Sequence, residues 1–147
     1  MRFRDNGNGT VKDNLTNLIW LKNANCFGGQ TWQNALNAAN GLASGSCGLS
    51  DGSVAGDWRL PNLKELQSLI DFGFVGPALS NAAGTGQCTA TDCAFSGVQS
   101  VGYWSSTTVA VSPPGGAWRV TLVDGTTNPL FKGAPGLVWP VRGGAEE

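Results

Sequence analysis

The stretch that most constrains the fold is Asp57–Phe72, which reads DWRLPNLKELQSLIDF. Pro61 forces an extended approach, because the residue before a proline is pushed out of the helical region of backbone space. Asn62 and Glu65 stand at the spacing of a capping box, so a helix is predicted to begin after Asn62. That helix has one apolar face, formed by Leu63, Leu66, Leu69 and Ile70. The pattern predicts a sharp entry of the chain into a capped helix that packs on a core.

Four cysteines and the absence of histidine narrow the possible chemistry. Without histidine, serine–histidine and cysteine–histidine catalysis are excluded, and the commonest metal ligand is missing. The cysteine spacings do not match paired C-x-x-C zinc sites. An even number in a small, glycine-rich chain predicts two disulfides and an oxidising compartment, with buried free thiols as the alternative. From their placement in loops, the expected pairs are Cys26–Cys47 and Cys88–Cys93.

The first third of the chain carries a hairpin signal and a second helix signal. Asn6-Gly7-Asn8-Gly9 lies between residues 2–5 and 10–13, and this arrangement predicts two short strands joined by a tight turn. A calcium loop is the alternative there, but the spacing and the closing glutamate of an EF-hand are absent. Its oxygen donors would be Asp5, Asn6, Asn8 and Asp13. Residues 18–21 predict a buried strand, and Thr31 predicts the N-cap of a helix with an apolar face.

The remainder of the chain predicts a long irregular segment followed by sheet. Residues 73–99 show little periodicity, and a loop of that length needs to be pinned to the domain. Strands are predicted over 102–107, 117–123 and 137–142, with Asp124-Gly125 turning the chain into one further strand. Alternation along 117–123 places Trp118, Val120 and Leu122 on one face, which is expected to be the core face.

Length and charge limit the domain count and the kinds of partner. A chain of 147 residues is expected to form a single domain over residues 1–147. The net charge of −1 gives no general attraction to nucleic acid. No apolar run is long enough for direct membrane insertion, and no cofactor or metal site is indicated. Because the chain starts just before a predicted strand, secretion is expected to depend on an upstream segment outside this chain.

Five motifs in order resemble one known domain family. They are DNGNGTVKDNLTNLIW at 5–20, TWQNAL at 31–36, DWRLPNLKELQSLID at 57–71, YWSSTT at 103–108 and VWPVRGG at 138–144. Together they resemble the family named for the C-terminal domain of the Legionella collagen-like adhesin, over nearly the whole chain. The resemblance implies an α+β, C-type-lectin-like fold, with two helices packed on a small twisted antiparallel sheet and long loops. It also implies an extracellular or cell-surface location and a role in adhesion.

The framework motifs contain the residues expected to hold the fold together. Tryptophan in such motifs is expected to pack in the core rather than to stack on a ligand. For Arg59 a structural charge partner, Glu65 or Asp71, is expected. The structural residues predicted in this way are Trp58, Arg59, Pro61, Trp104, Trp118 and Trp139.

The chain departs from the family pattern between Thr108 and Val138, where framework positions alternate with a mixed set of residue types. Some lectin-fold proteins of this kind are variable proteins, diversified by retroelements that randomise adenines in Asn and Tyr codons. Every residue type in the mixed set can arise in that way. A drifted loop without special role is the alternative. We expect this segment to present a variable surface patch near the C-terminus.

The predicted function is therefore an extracellular, adhesin-like module that binds a protein ligand, and it is not an enzyme. The alternative is a bacterial surface lectin that binds carbohydrate or glycosaminoglycan, although Lys and Arg total only 9 against 10 Asp and Glu. Arg119 and Phe131 are the predicted anchors, because Arg and large aromatic residues tend to dominate interfaces. The predicted ligand-binding residues are Val109, Val111, Ser112, Arg119, Thr121, Val123, Thr126, Asn128, Leu130, Phe131, Ala134 and Leu137.

Overall fold

The computed structural model describes residues 1–109 and 115–143. It contains two helices, α1 Trp32–Asn40 and α2 Leu63–Gln67. The seven strands of the described residues are β1 Phe3–Asp5, β2 Thr10–Asp13, β3 Leu18–Leu21, β4 Gly102–Thr108, β5 Gly116–Thr121, β6 Thr127–Phe131 and β7 Val141–Gly143. Neither helix in this part of the chain is long and apolar enough to cross a membrane.

The strands of the described residues form two antiparallel sheets, where the sequence predicted one. Sheet 1 has the order β1-β2-β3-β7, and sheet 2 has the order β4-β5-β6. The predicted last strand, 137–142, begins only at Val141, because the residues before it connect the two sheets. Leu137 exchanges backbone hydrogen bonds with the β4 residues Gly102 and Trp104, whereas Val141 pairs with Trp20 in β3. Pro129 lies in β6, on the outer edge of sheet 2, where a strand tolerates proline.

The predicted hairpin between β1 and β2 is confirmed. Gly7 and Gly9 adopt φ values of 78° and 86°, which glycine reaches without strain. The oxygens considered as calcium ligands serve the protein instead. The Asp5 carboxylate accepts the Gly7 N–H and pairs with Lys22, while Asp13 is fully buried and binds Arg2 through both carboxylate oxygens, at 2.9 and 3.0 Å.

Both predicted helix caps and both predicted disulfides are confirmed. The Thr31 side chain accepts the Asn34 N–H, and Asn62 with Glu65 forms a complete capping box. Cys26–Cys47 links the two segments that flank α1, and Cys88–Cys93 closes a short loop in the middle segment. All four cysteines are thus in disulfides.

Of the two expected charge partners of Arg59, the structure shows Glu65, and their ion pair organises the DWRLP stretch. Arg59 donates from Nη1 and Nη2 to the two carboxylate oxygens of Glu65, at 2.6 and 2.8 Å. The same Nη2 donates to the Gly143 carbonyl oxygen at 2.9 Å. Arg59 also exchanges two backbone hydrogen bonds with Val141. Helix α2 is thereby fixed to the last strand.

The main core is built around interlocking aromatic rings. Trp139 lies 5.6 Å from Trp20, 5.0 Å from Phe95 and 5.3 Å from Tyr103 between ring centroids. The Tyr103 hydroxyl donates to the Ala24 carbonyl oxygen, and burial raises the pKa of Tyr103 to about 12. Trp58 is fully buried and donates its Nε1–H to Ser53. These residues confirm the predicted framework role of Trp58 and Trp139.

A second, smaller core cluster joins α1 to sheet 2. It contains Ala35 and Ala39 from the helix and Trp104 and Ala117 from the sheet, all without exposed surface. Trp104 therefore packs in a core, as predicted. The prediction for Trp118 is wrong in part, because Trp118 is half-buried and belongs to neither cluster of the described residues. On the same face, Val120 belongs to the main core together with Leu66 of α2, whereas Trp118 lies further along β5, opposite Pro129.

The long middle segment is pinned to the core by its own side chains and backbone. Ala78 and Leu79 are fully buried, and Phe95 is 5% exposed. Gly76 and Ala78 donate backbone hydrogen bonds to Val123 and Leu122. The pinning that a loop of this length requires is thus present at both of its ends.

We expect Trp58→Ala to lower the free energy of unfolding by roughly 3–5 kcal/mol, because the indole fills a fully buried site. Leu66→Ala should cost about 2–5 kcal/mol for the same reason. Leu15, which is 74% exposed, offers a matched control, and Leu15→Ala should change stability by less than about 0.5 kcal/mol. Urea unfolding measures all three, and equal midpoints would contradict the assignment of this core.

The two disulfides should contribute unequally to stability. The half-cystines of Cys26–Cys47 are 21 residues apart in sequence, and those of Cys88–Cys93 are 5 apart. Loop entropy then predicts losses of about 3 and about 2 kcal/mol when each pair is replaced by alanine. Denaturant unfolding of the two double variants measures the difference, and the reverse order would show that loop entropy is not the governing contribution.

Candidate surface for ligand binding

The predicted binding residues concentrate on the β5–β6 hairpin. Arg119 in β5 is directly opposite Trp104 in β4 on one side and Asn128 in β6 on the other. Directly opposed residues in an antiparallel sheet share a face, so these three side chains lie on one side of sheet 2. Thr121 lies two residues from Arg119 on the same side. We call Arg119, Thr121 and Asn128 the hairpin face, and all three are half-buried.

Phe131, the second predicted anchor, lies on the opposite face of the hairpin. It pairs with Gly116, so its side chain shares a side with Trp118 and Pro129. The prediction of one patch holding both anchors is therefore wrong, because register places them back to back. Phe131 is 60% exposed, so it remains a surface residue. Leu130 shares the side of Arg119, but it packs against the second core cluster.

The Arg119 guanidinium packs against the ring of Trp104 and occupies the room that Gly102 leaves by having no side chain. Its guanidinium carbon is 5.8 Å from the centroid of the Trp104 ring, a cation–π arrangement. Gly102 provides the room, since a Cβ on that residue would lie 2.8 Å from the Arg119 guanidinium carbon. The arginine therefore depends on an aromatic platform and on the absence of a neighbouring side chain.

The Trp104 indole is itself held in place by the segments that contain Gln30 and Gly136. Its Nε1–H donates to the Gln30 carbonyl oxygen at 2.8 Å. Gln30 exchanges two backbone hydrogen bonds with Gly136, at 2.8 and 2.9 Å. A Cβ on Gly136 would lie 2.6 Å from the indole nitrogen, so only glycine allows this approach. The indole plane is thus fixed before any ligand is present.

The electrostatics of Arg119 differ from those of the structural arginines. Within residues 1–109 and 115–143 it forms no ion pair, whereas Arg2, Arg59 and Arg142 each bind a carboxylate. Its Nη1 donates to the Pro135 carbonyl oxygen at 3.3 Å, in an exposed contact. Burial lowers the pKa of Arg119, because partial loss of water disfavours the charged form. A partly desolvated guanidinium without a carboxylate is an unusual group to retain for stability alone.

Two buried polar atoms of the hairpin face have no hydrogen-bond partner in the described part of the chain. They are the Nε of Arg119 and the Oδ1 of Asn128. One is a donor and the other an acceptor, on directly paired residues. Unsatisfied buried polar atoms cost free energy and call for an explanation. The hairpin face therefore carries polar groups that the described part of the chain does not fully satisfy.

The other predicted binding residues divide between surface and core. Val109, Val123 and Thr126 keep exposed surface near the ends of the strands. Val111 and Ser112 lie outside the described residues. Two predictions are wrong: Ala134 is buried, with 7% of its surface exposed, and Leu137 packs against the main core beside Tyr103. Their backbone hydrogen bonds to Phe131, Gly102 and Trp104 draw them inward.

The middle segment also forms a cleft that no sequence signal indicated. Its volume is about 580 Å³, within the range of small-ligand sites. None of the described residues that line it carries a charge, and the Cys88–Cys93 loop contributes Cys88, Thr89 and Ala90 to the lining. The lining residues are Gly76, Pro77, Gln87, Cys88, Thr89, Ala90, Phe95, Ser96, Gly97 and Val98.

Sequence reasoning missed the residues that shape the hairpin face from behind. Gly102 and Gly136 were not singled out, although an isolated glycine at a strand often marks close approach of another group. Trp104 was assigned to the core alone, yet its ring also carries Arg119. The part played by Pro135 has no sequence signal, because Pro135 contacts Arg119 through its backbone carbonyl oxygen, which every residue type has.

Comparison with known protein families places the hairpin face inside a recognised domain. The model of a family described as the Lcl C-terminal domain matches residues 9–142. No curated protein matches the chain. The matched range contains both helices, the five strands β2 to β6, the first two residues of β7 and the whole hairpin face.

The two glycines should respond differently to a methyl group. Gly136→Ala should cost about 1–3 kcal/mol, because the indole of Trp104 is held by its surroundings and cannot yield. Gly102→Ala should cost less than about 1 kcal/mol, since the end of the arginine side chain can move aside. Gly29→Ala is the control, because the new Cβ would meet only Pro135 Cβ at 3.5 Å. Thermal unfolding of the three variants tests this order, and a tolerant Gly136 would show that the platform is not rigid.

Proposed function

The chain belongs to the Lcl C-terminal domain family, and from this membership we propose that it is an adhesin-like surface module that holds a ligand on its β5–β6 hairpin. Its two disulfides fit an extracellular or cell-surface location, because such bonds persist in oxidising surroundings. The proposal assigns binding rather than catalysis to the domain.

The finer fold assignment is part of the proposal. We take the domain to be C-type-lectin-like, with its two small antiparallel sheets, two short helices and long pinned loops. In such an arrangement a rigid framework carries loops and hairpins whose side chains are free to serve a ligand. The aromatic core around Trp139 supplies the rigidity, and the hairpin face supplies the ligand contacts.

The observation that carries the proposal is the state of Arg119. It rests on Trp104, lies over Gly102 and forms no ion pair among the described residues. Arg is among the residues that dominate the energy of protein interfaces, above all when it is preorganised. A protein ligand is the partner that we propose for this surface.

The variability of the hairpin is also proposed. The residues between the framework positions of β5 and β6 would be diversified by a retroelement, so that ligand choice changes while the fold is kept. Arg119, Thr121 and Asn128 belong to that set and keep solvent-exposed surface. A reverse-transcriptase gene and a near-copy of the coding region for residues 103–142 in the neighbouring DNA are expected, and their absence would contradict diversification.

A carbohydrate ligand is the second candidate, and the cleft in the middle segment favours it. The cleft has about the volume of a small-ligand site and a lining without charged side chains. Uncharged polar groups with one aromatic ring suit a neutral sugar better than a sulfated one. The two candidates therefore place the ligand on different surfaces of the domain.

We expect Arg119→Ala to abolish binding of the fluorescently labelled domain to the cell surfaces that the wild type recognises, measured by flow cytometry on a panel of bacterial and epithelial cells. Stability should change by less than about 1 kcal/mol, because the side chain is only partly buried. Arg4→Ala is the matched control. It removes the same charge from an exposed residue of β1.

Pretreatment of the cells separates the two candidate ligands. Protease treatment should remove binding if the ligand is a protein, and periodate oxidation should remove it if the ligand is a sugar.

Undiminished binding of Arg119→Ala would place the binding surface elsewhere, and Phe131→Ala then tests the opposite face of the hairpin. A melting temperature far below that of the wild type would instead assign Arg119 to the framework.

A further inference from the structure

We propose that the hairpin face binds a carboxylate, supplied by a Glu or Asp side chain of the protein partner, through the guanidinium of Arg119. This inference rests on the proposed function and names the chemical group that the same surface recognises. The following observations concern what Arg119 can donate, how it is oriented, what other charges lie on the domain, and what surrounds it.

The hydrogen-bonding inventory of the site calls for an acceptor. A guanidinium carries five N–H donors and no acceptor. Among the described residues, the one hydrogen bond of the Arg119 side chain runs from Nη1 to the Pro135 carbonyl oxygen at 3.3 Å. Asn128 directly opposite is neutral and carries both kinds of group, an acceptor in its buried Oδ1 and donors in its amide NH₂, so the excess of donors at this site comes from Arg119. A ligand that matches this surface therefore brings acceptor oxygens.

The orientation of the guanidinium favours a planar acceptor. The guanidinium lies over the Trp104 ring and close to the Gly102 backbone, and these two neighbours restrict the directions in which it can point. An oriented guanidinium presents a fork of parallel N–H groups that matches the two oxygens of a carboxylate. Because less side-chain freedom is lost on binding, such a fork gains affinity without further contacts.

The distribution of the other cations favours one carboxylate over a chain of sulfates. Four of the nine Lys and Arg residues are already in ion pairs with carboxylates of the domain. Lys132 lies over the Trp32 ring at 4.3 Å, next to the N-terminus of α1. The net charge is −1, so no general field attracts a polyanion. The Arg119 guanidinium, with neutral residues beside it, therefore suits a ligand group with a single negative charge better than a polyanion.

The surroundings of Arg119 fit a protein surface. Thr121 and Asn128 are neutral and half-buried, and Leu130 adds a partly exposed apolar side chain on the same side. A neutral surface with a central arginine resembles the centre of a protein interface, where charged residues are otherwise rare. Burial around Arg119 strengthens its attraction to an opposite charge, because the local dielectric is lower than in water.

The test is an NMR titration of ¹⁵N-labelled domain with N-acetylglutamate N-methylamide, a one-residue mimic of a glutamate side chain in a protein. The Arg119 Nε–H signal, assigned by its loss in Arg119→Lys, should shift with a dissociation constant on the order of 10 mM. The neutral isostere, N-acetylglutamine N-methylamide, should leave that signal in place. Methyl sulfate should bind about tenfold more weakly, because its single charge is spread over three oxygens and each is a weaker acceptor than a carboxylate oxygen.

Variants separate fork recognition from simple charge attraction. Arg119→Lys keeps the charge and loses the fork, so the backbone signals of Thr121 and Asn128 should need at least about tenfold more probe for the same shift. Arg4→Gln, the matched control, should bind the probe like the wild type. The proposal would be overturned if the Arg119 Nε–H signal did not move when the probe concentration was raised to about 100 mM, about ten times the expected dissociation constant. Stronger binding of methyl sulfate, or full retention by Arg119→Lys, would overturn it equally.

The outcomes distinguish this inference from the proposed function. If cell binding is lost in Arg119→Ala but the glutamate probe leaves Arg119 unmoved, the surface is correct and the carboxylate is wrong. If Arg119→Ala binds cells fully, the proposed function fails at this surface whatever the probe does. A shift of Arg119 by the probe together with loss of cell binding supports both.

Discussion

One carboxylate, that of Glu65, holds together parts of the chain that are far apart in sequence. It accepts both arms of the Arg59 guanidinium and, through Oε1, the backbone N–H of Asn62 at 2.9 Å. Arg59 extends the connection to the Gly143 carbonyl oxygen, so the start of α2 and the end of β7 are fixed relative to each other. Helix α2 has only five residues and could not persist without such support. Both sheets rest on this connection, because Val141 pairs with β3 while the helix packs beneath β4 and β5.

The hairpin face, the proposed binding surface, depends on a second set of contacts. A buried tryptophan usually serves the core alone, but Trp104 belongs to the second core cluster and also carries Arg119 on its ring. Glycine at 136 lets the chain press against the indole, and glycine at 102 leaves room for the guanidinium. The site is therefore defined as much by two missing side chains as by the residues present. Such an arrangement separates the side chains to which recognition is assigned in the proposed function from the packing that keeps the hairpin in place.

The parts of the fold that obey local rules could be predicted from the sequence. Capping of α2 by Asn62, the turn at Asn6–Gly9 and the disulfide around α1 each depend on residues close together in the chain. The division into two sheets could not be predicted, because it depends on β3 pairing with a strand some 120 residues later. The side of Phe131 was missed for a related reason: a shift of one residue in register moves every side chain to the other face. The cleft and the Pro135 contact arise from tertiary packing, which no pattern of residue types encodes.

Pro129 has a consequence for molecules that sit close to one another on a cell envelope. It lies in the outer strand of sheet 2 and has no N–H to offer a neighbouring chain. Open edge strands are templates for sheet growth between molecules, and proline interrupts that growth. Copies of the domain that lie side by side are therefore less prone to join through this edge. For the adhesin-like role proposed above, separate copies whose single contacts are weak would add up through multivalency, so that binding would rest on avidity.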